Sequence, residues 1–525
     1  MKQKKEMKMV KKVINYFKNH MILTKSIAFA LLFIFIWVLY DIFVPLSKVG
    51  TDAFQTIRTL MIISPVICFG IGCYLKGKNK LSIETFALLV MIAGFSMRIG
   101  YAFYTGANCR QHDVEMYNGK NLATYENGGQ GHFAYTLYIY EHGTLPPEIK
   151  WQFYHPPLWH SLSAGFMRIY GFFKGETDIA TLYNSCMILS SYIGCLTLYA
   201  CKKLVFEIIP SNKGKGITLL LLAFHSQFFI MAGWMNNEQL ALMFTIFSLY
   251  FAIRYHKTNS WVSIVLCAIS IGCGMMSKIS AATIALPIGI IFIYDLVRNI
   301  KNKKTVNTLL QFGTFLLICA PLGLWFQIKN IVQFGFDSIK VPSISTSSSL
   351  SVINYSIWQR FGLFNPLNIK EGMFCILRPN ENGYMDYNVW LYTLKCSVFG
   401  EYSYWGGMVF AGSLLVANSL LILLCIYTAF DVVIREWKKD TRNLNILMIV
   451  IILESLIAYI YFQITNPVTC TQDFRYMTFI LIPSMYFVGK SFSEKSGNKM
   501  YKNIVIYATV ILFVSFSFLT FVSVR

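Results

Sequence analysis

Apolar residues gather in long runs that recur along the whole 525-residue chain. Many runs come near the roughly 20 residues that an α-helix needs to cross a bilayer core. Read by length and hydropathy, the runs are 24–45, 56–75, 82–104, 180–201, 216–234, 239–255, 261–277, 280–297, 306–326, 406–430, 443–463, 475–492 and 503–523. They predict an all-α polytopic membrane protein of about thirteen transmembrane helices.

The polar positions between the runs are equally patterned. Every second connection is basic: Lys76, Lys78 and Lys80; Lys202, Lys203, Lys213 and Lys215; Arg254 and Lys257; Arg298, Lys301, Lys303 and Lys304; Arg435, Lys438, Lys439 and Arg442; then Lys495, Lys499 and Lys502. Short loops rich in Lys and Arg stay in the cytoplasm, so this alternation predicts a cytoplasmic N-terminus and an external C-terminus. The first 20 residues are Lys-rich, and no small-residue cleavage site follows the first apolar run, so the start is read as a cytoplasmic tail.

Two segments on the predicted external side are long, 105–179 and 327–405, and long loops in a compact protein usually carry function. In the first, Tyr117, Leu122 and Tyr125 fall on one helical face, as do Phe133, Leu137 and Tyr140, which predicts amphipathic helices lying at the membrane interface. The second interleaves Tyr, Trp and Phe with Asn, Gly and Pro and reads as an ordered cap. Its Ser345–Ser351 stretch is too polar to pack. The chain thus divides into a basic tail with a transmembrane hairpin (1–81), a core with the first external loop (82–326), a cap loop (327–405) and C-terminal helices (406–525).

Composition agrees with the pattern. Hydrophobic residues make up 55% of the chain, charged ones 14%, and the mean hydropathy is +0.51, too apolar for a soluble domain of this length. The net charge of +21 sits in the short loops and not on one basic surface, which argues against a nucleic-acid partner. Most of the 13 cysteines lie inside apolar runs as small packing residues. Cys109, Cys375, Cys396 and Cys470 map outside, where a disulfide is chemically allowed but its pairing is not readable.

The unusual polar residues collect on the external side. Asp113 and Glu115, in Asn108-Cys109-Arg110-Gln111-His112-Asp113-Val114-Glu115, follow the third run. A carboxylate at a hydrophobic boundary can take a proton from an attacking hydroxyl, whereas an ordinary loop acid is simply solvated. In Tyr154-His155-Pro156-Pro157-Leu158-Trp159-His160 two prolines stiffen the backbone. Its histidines could bind an anion or a metal, or merely form an aromatic turn. Trp234-Met235-Asn236-Asn237-Glu238 and Met276-Ser277-Lys278-Ile279-Ser280 are short external turns. Lys278 breaks the sign pattern, so it is either an anion ligand or a snorkelling lysine. Arg475, in Cys470-Thr471-Gln472-Asp473-Phe474-Arg475-Tyr476, offers a fork suited to phosphate or to a salt bridge with Asp473. No Walker loop, His-Glu-x-x-His or Ser-x-x-Lys motif stands out, which weighs against soluble-nucleotide and protease chemistry. One carboxylate base and several cations make a kit for moving a group off a phosphate. A transporter or lipid flippase is the competing class; it predicts charges at helix midpoints, where Arg98 and Glu454 are the examples.

These motifs resemble the membrane glycosyltransferases of the C-type fold (GT-C), which use polyprenyl-phosphate sugars. The resemblance is to the family 39 branch of protein O-mannosyltransferases and aminoarabinose transferases. Asp113-Val114-Glu115 resembles the acidic motif opening the first large external loop, and His155-Pro156-Pro157-Leu158 the His-Pro-Pro-Leu near its end. Lys278 and Arg475-Tyr476 resemble two later motifs. Val114 separates acids that are adjacent in the O-mannosyltransferases, His160 stands at their Lys, and 24–45 with 56–75 look like an added hairpin. The resemblance implies an inverting transfer at the external surface of a bacterial cell membrane, with Asp113 as general base and Glu115 assisting or helping to hold a divalent ion. Lys278, Arg475, His155 and Tyr476 would bind the donor phosphate, with His132, His160, Asn237, Glu238 and Asp473 in substrate or supporting roles. The acceptor would be a hydroxyl on a protein, a glycolipid or a cell-wall polymer.

Overall fold

The structure, a computed structural model, describes residues 21–44, 52–105, 116–339, 350–362, 387–401, 408–492 and 500–523. Each apolar run is realised as helix. The first three are α1 (Met21–Phe43), α2 (Asp52–Gly77) and α3 (Ile83–Thr105). Two short helices follow in the first loop, α4 (Gly131–His142) and α5 (Leu158–Lys174). Next come α6 (Ile179–Ile208), α7 (Asn212–Phe224), α8 (Ser226–Gly233), α9 (Glu238–Thr258), α10 (Trp261–Ser277), α11 (Ala285–Lys301) and α12 (Thr305–Phe334). The cap contributes α13 (Ile357–Phe361) and α14 (Val389–Phe399), and the chain continues through α15 (Met408–Arg435), α16 (Arg442–Thr465), α17 (Leu481–Ser491) and α18 (Met500–Val522). Among the described residues nine helices are long and apolar enough to cross a membrane, or ten if the bent pair α7 and α8 is one span. The chain is an all-α polytopic membrane protein.

The core lies where α3, α6, α7, α8 and α9 pack against one another, with α10 against α9 and α12. The outer helices keep large apolar side chains exposed, among them Phe35, Phe69, Leu317 and Val332, as helices surrounded by lipid do. The N-terminal hairpin is not detached: α2 lies along α3, and α1 packs on α6. Close approach of α7 to α17 depends on Gly214 and Gly489, where a Cβ would meet the partner's backbone or the Thr218 hydroxyl.

Three runs that read as continuous are broken. The first breaks at His225, where α7 and α8 meet at 45°. A break frees the last carbonyls of the preceding helix, and lipid offers them no donor. Arg98, fully buried on α3, takes two of them, with Nη2 donating to the Leu222 oxygen at 3.2 Å and Nη1 to Ala223 at 2.8 Å. Ser517 takes the third, Phe224, at 2.6 Å. Arg98 therefore caps a bent helix, while Glu454, the other midspan charge, is half-buried on α16. The other two breaks are 3-10 starts, Ile279–Ile284 beside Lys278 and Phe474–Ile480 carrying Arg475.

The first loop corrects one expectation. Tyr117 and Leu122 are not on a helix: Tyr117–Asn118 and Asn121–Leu122 pair as a small antiparallel hairpin. The Asn118-Gly119 step turns the chain, with Gly119 at φ 65°, a conformation glycine adopts without cost. The second predicted face is helical in α4, with Phe133 and Leu137 buried and Tyr140 half-buried. In the cap, residues 345–349 lie outside the described residues, but Ser351 is packed: it bridges Val468 antiparallel. The Val352 N–H donates to the Pro467 oxygen and the Thr469 N–H to the Leu350 oxygen, both at 2.9 Å.

Candidate functional site

Two short turns place the first cation. Asn237 Nδ2 donates to the Ser277 oxygen at 2.9 Å, tying the turn before α9 to the end of α10. Glu238 opens α9, its N–H bonded to Asn236 Oδ1 at 3.0 Å. Lys278 follows α10 in extended conformation (φ −152°, ψ 129°), which turns its side chain to Glu238, and the two form an ion pair. Both side chains are nearly buried, so Lys278 does not snorkel.

The second cation comes from the 3-10 start of the last broken run. Asp473, fully buried, caps that turn through Oδ1, which accepts the Arg475 N–H at 2.8 Å. The Arg475 guanidinium is divided between Glu401, 3.4 Å from Nη1, and Asp473, 3.9 Å from Nε. Tyr476 joins the two cations. Lys278 Nζ stands 4.9 Å from its ring centroid and Arg475 Cζ 5.1 Å, while Arg475 Nη2 donates to its hydroxyl at 3.3 Å. Trp234 lies 6.0 Å from the guanidinium. Two cations and three acids, Glu238, Glu401 and Asp473, thus meet around one tyrosine.

A histidine stack borders this centre. His132 and His160 are parallel within 7° and share a hydrogen bond of 3.1 Å, and the His155 ring is parallel to His132 at 6.0 Å. Tyr135 stacks on His160 at 4.1 Å and donates its hydroxyl proton to the His155 oxygen at 3.2 Å. Burial pushes His132 down to about 3, helped by the charges of Arg475 and Lys278. Burial also holds His155 well below the usual range, with Lys278 the next cause. These imidazoles are neutral at pH 7, so His155 can meet a phosphate only as a hydrogen-bonding group and not as a cation.

The structure therefore gathers Lys278, Arg475, Tyr476, Asp473, Glu238, Asn237, His132, His155 and His160 in one region. Asp113 and Glu115 lie outside the described residues, as do Cys109 and Cys375; Cys396 is buried on α14 and Cys470 lies in the turn before Asp473. Sequence reasoning missed Glu401, Tyr135 and Trp234. Glu401 follows Gly400, whose φ of 77° turns the chain after α14, and it sits in no short motif. A divalent ion would need acids not engaged with Lys278 and Arg475. Among the described residues Glu126, Glu141 and His142 bring ligand atoms within 4.8 Å of one another, but all three are exposed, Glu126 in a turn and the other two at the end of α4.

Residues 154–325 match the family described as Dolichyl-phosphate-mannose-protein mannosyltransferase. That segment contains His155, His160, Glu238 and Lys278. No curated protein matches the sequence. Among solved structures the chain is similar to ArnT from Cupriavidus metallidurans bound to undecaprenyl phosphate, at 12% identity over 84% of this chain and 75% of that one, with a TM-score of 0.45. It is also similar to the oligosaccharyltransferase AglB from Archaeoglobus fulgidus, in complex with an inhibitory peptide and a dolichol-phosphate, at 12% identity, 83% of this chain and a TM-score of 0.44. The chain spans 55% of that protein's length. The motifs and the family match over residues 154–325 agree, and both make this chain similar to the membrane glycosyltransferases that draw on lipid-phosphate sugars.

Proposed function

We propose that the protein transfers a sugar from a polyprenyl-phosphate donor to an acceptor hydroxyl on the extracytoplasmic side of the membrane. The acceptor oxygen attacks the anomeric carbon, the carbon–oxygen bond to phosphate breaks, and the electron pair leaves with the phosphate. The acceptor proton passes to Asp113, with Glu115 assisting or helping to hold a divalent ion. One displacement inverts the anomeric centre. Lys278 and Arg475 stabilise the phosphate as its charge grows, which is where fixed cations accelerate a displacement most. His155 and Tyr476 contribute hydrogen bonds, and the prenyl chain remains in the bilayer. The acceptor is a hydroxyl on protein, glycolipid or cell-wall polymer, chosen by the aromatic cap.

The observation that carries this reading is the meeting of Lys278 and Arg475 across Tyr476, beside the histidines of the first loop. Three separated stretches converge there. The test is transfer from a radiolabelled lipid-phosphate sugar by purified protein in detergent. Wild-type protein should consume the donor, and Asp113→Asn should not. Near-normal turnover by folded Asp113→Asn rejects that base, and retention of anomeric configuration in the product rejects the single displacement. Detergent also removes vectorial transport, so donor consumption there excludes a pure flippase.

A further inference from the structure

His132 and His160 share a single hydrogen bond, His132 Nδ1 to His160 Nε2 at 3.1 Å. One of these nitrogens carries the proton. Burial depresses the proton affinity of both rings, with the charges of Arg475 and Lys278 adding to it at His132 and that of His132 at His160. Each neutral ring then has one N–H and one lone pair, so the shared bond leaves two arrangements. In the first, His132 Nδ1–H donates, and His160 keeps its own proton on Nδ1. In the second, His160 Nε2–H donates, His160 Nδ1 is a bare lone pair, and the His132 proton sits on Nε2.

The surroundings choose between them. His160 Nδ1 is sealed from solvent, and among the described residues it has no hydrogen-bond partner. Tyr135 covers the ring face at 4.1 Å. A sealed N–H without an acceptor is tolerated less well than an under-used acceptor, and an imidazole can avoid it by its choice of tautomer, unlike the indole N–H groups of Trp159 and Trp234, which are sealed without a partner. The second arrangement follows. His132 Nε2 is not among the buried unpartnered atoms of the described residues, and it is the nitrogen of the pair that the shared bond leaves for a ligand. The ring that carries it is the one on which both Arg475 and Lys278 act.

We propose that His132 presents its Nε2–H to a phosphate oxygen of the lipid donor beside Lys278 and Arg475, and that His160 is the positioning residue that fixes this tautomer. The assignment rests on the donor reading above and adds a donor that the sequence motifs do not single out. The chemistry suits the charge balance. Two cations are already matched by three acids, so a neutral donor adds a hydrogen bond without another counter-ion. That bond strengthens as the phosphate oxygen takes up the electron pair of the breaking bond, and no proton leaves His132.

The tautomer is testable apart from the activity. In full-length protein carrying 15N-histidine, long-range proton–nitrogen correlations should show His132 neutral at pH 7 with its proton on Nε2; the signals are assigned by their loss in His132→Gln. Adding undecaprenyl phosphate should shift the Nε2–H resonance. His132→Leu should lose about 10²–10³-fold in kcat, the usual effect of removing one such donor, with KM changed much less. His132→Gln, which still offers an N–H, should recover most of that loss. His160→Leu should raise the population of the His132 Nδ1–H form. A His132 proton on Nδ1, an imidazolium at pH 7, or a His132→Leu enzyme as fast as wild type would overturn the assignment. If His132→Leu does not fold, the wild-type tautomer still decides. A wild-type protein that neither binds undecaprenyl phosphate nor consumes any lipid-phosphate sugar would reject the donor reading instead.

Discussion

Two buried ionic clusters stand at opposite ends of the helices. One is the Lys278–Arg475 centre, with Arg475 on the 3-10 turn that leads into α17. The other gathers where α15 ends, around Lys490 at the far end of α17 from Arg475. There Asp431 Oδ2 accepts from Arg435 at 2.7 Å, Lys502 at 3.0 Å and Ser491 at 2.6 Å. Glu436 pairs with Lys490 at 3.1 Å and takes the Thr441 hydroxyl at 2.7 Å. Lys490 further donates to Asn445 at 3.0 Å and to Tyr486 at 2.7 Å. None of these atoms is buried without a partner, whereas the first centre is flanked by sealed, unpartnered atoms on Trp234, Asn236 and His160. The distal cluster is complete as it stands. The proximal one keeps hydrogen-bonding capacity in reserve, which is how a site differs from a brace.

Breaking the distal cluster should give the largest effect on stability and almost none on chemistry. Lys490→Met removes the nearest of three cations around Glu436, with Arg435 and Lys439 at 3.8 Å, and should destabilise by about 1.5–3 kcal/mol, read as a fall in thermal midpoint. Turnover per folded molecule should stay near wild type; a large loss would erase the distinction drawn between the clusters. The paired change Lys278→Met with Glu238→Gln removes both charges and should leave the fold largely intact. Its kcat should nevertheless fall about 10²–10³-fold in the donor-consumption assay. Arg98→Met leaves the Leu222 and Ala223 carbonyls without their donor and should cost about 1–3 kcal/mol by thermal unfolding.

A smaller effect sharpens the contrast through pH. The three buried histidines have folded proton affinities below the unfolded value of 6.5, so the unfolded chain binds protons first as pH falls. Stability is therefore full above pH 6.5 and declines on acidification, by up to about 1.4 kcal/mol per pH unit for each histidine. Unfolding midpoints at pH 6.5 and 5.5 should differ in wild type and differ less in His132→Leu. An equal slope in both would place the acid sensitivity elsewhere.

Much of this was legible in the chain. The apolar runs located the helices because lipid leaves a spanning segment no other way to satisfy its backbone. The loop charges singled out Lys278 as anomalous, and it is buried in the site. What the sequence withheld was tertiary. Glu238 lies 40 residues from Lys278, so their pairing depends on how α9 and α10 meet. Glu401 reaches Arg475 from across the cap with no motif to announce it. The 3-10 starts at Ile279 and Phe474 are invisible to hydropathy, which measures how apolar a segment is and not how its backbone is wound. Tyr117 and Leu122 misled because helical spacing was weighed above the Asn118-Gly119 turn.

The antiparallel bridge between Ser351 and Val468 has a consequence for rate as well as for shape. The loop it grips is held again by Tyr459, whose hydroxyl donates to the Gln472 oxygen at 2.7 Å, and by Gln463, whose Nε2 donates to the Thr471 oxygen at 2.5 Å. Arg475 sits at the end of this stretch. Its freedom is removed when the chain folds, so the phosphate proposed to bind there would meet a guanidinium already aimed, with little entropy left to lose in ordering it. Because the bridging strand belongs to the cap, that aim is also a mechanical linkage: a molecule that displaces the cap moves the arginine with it.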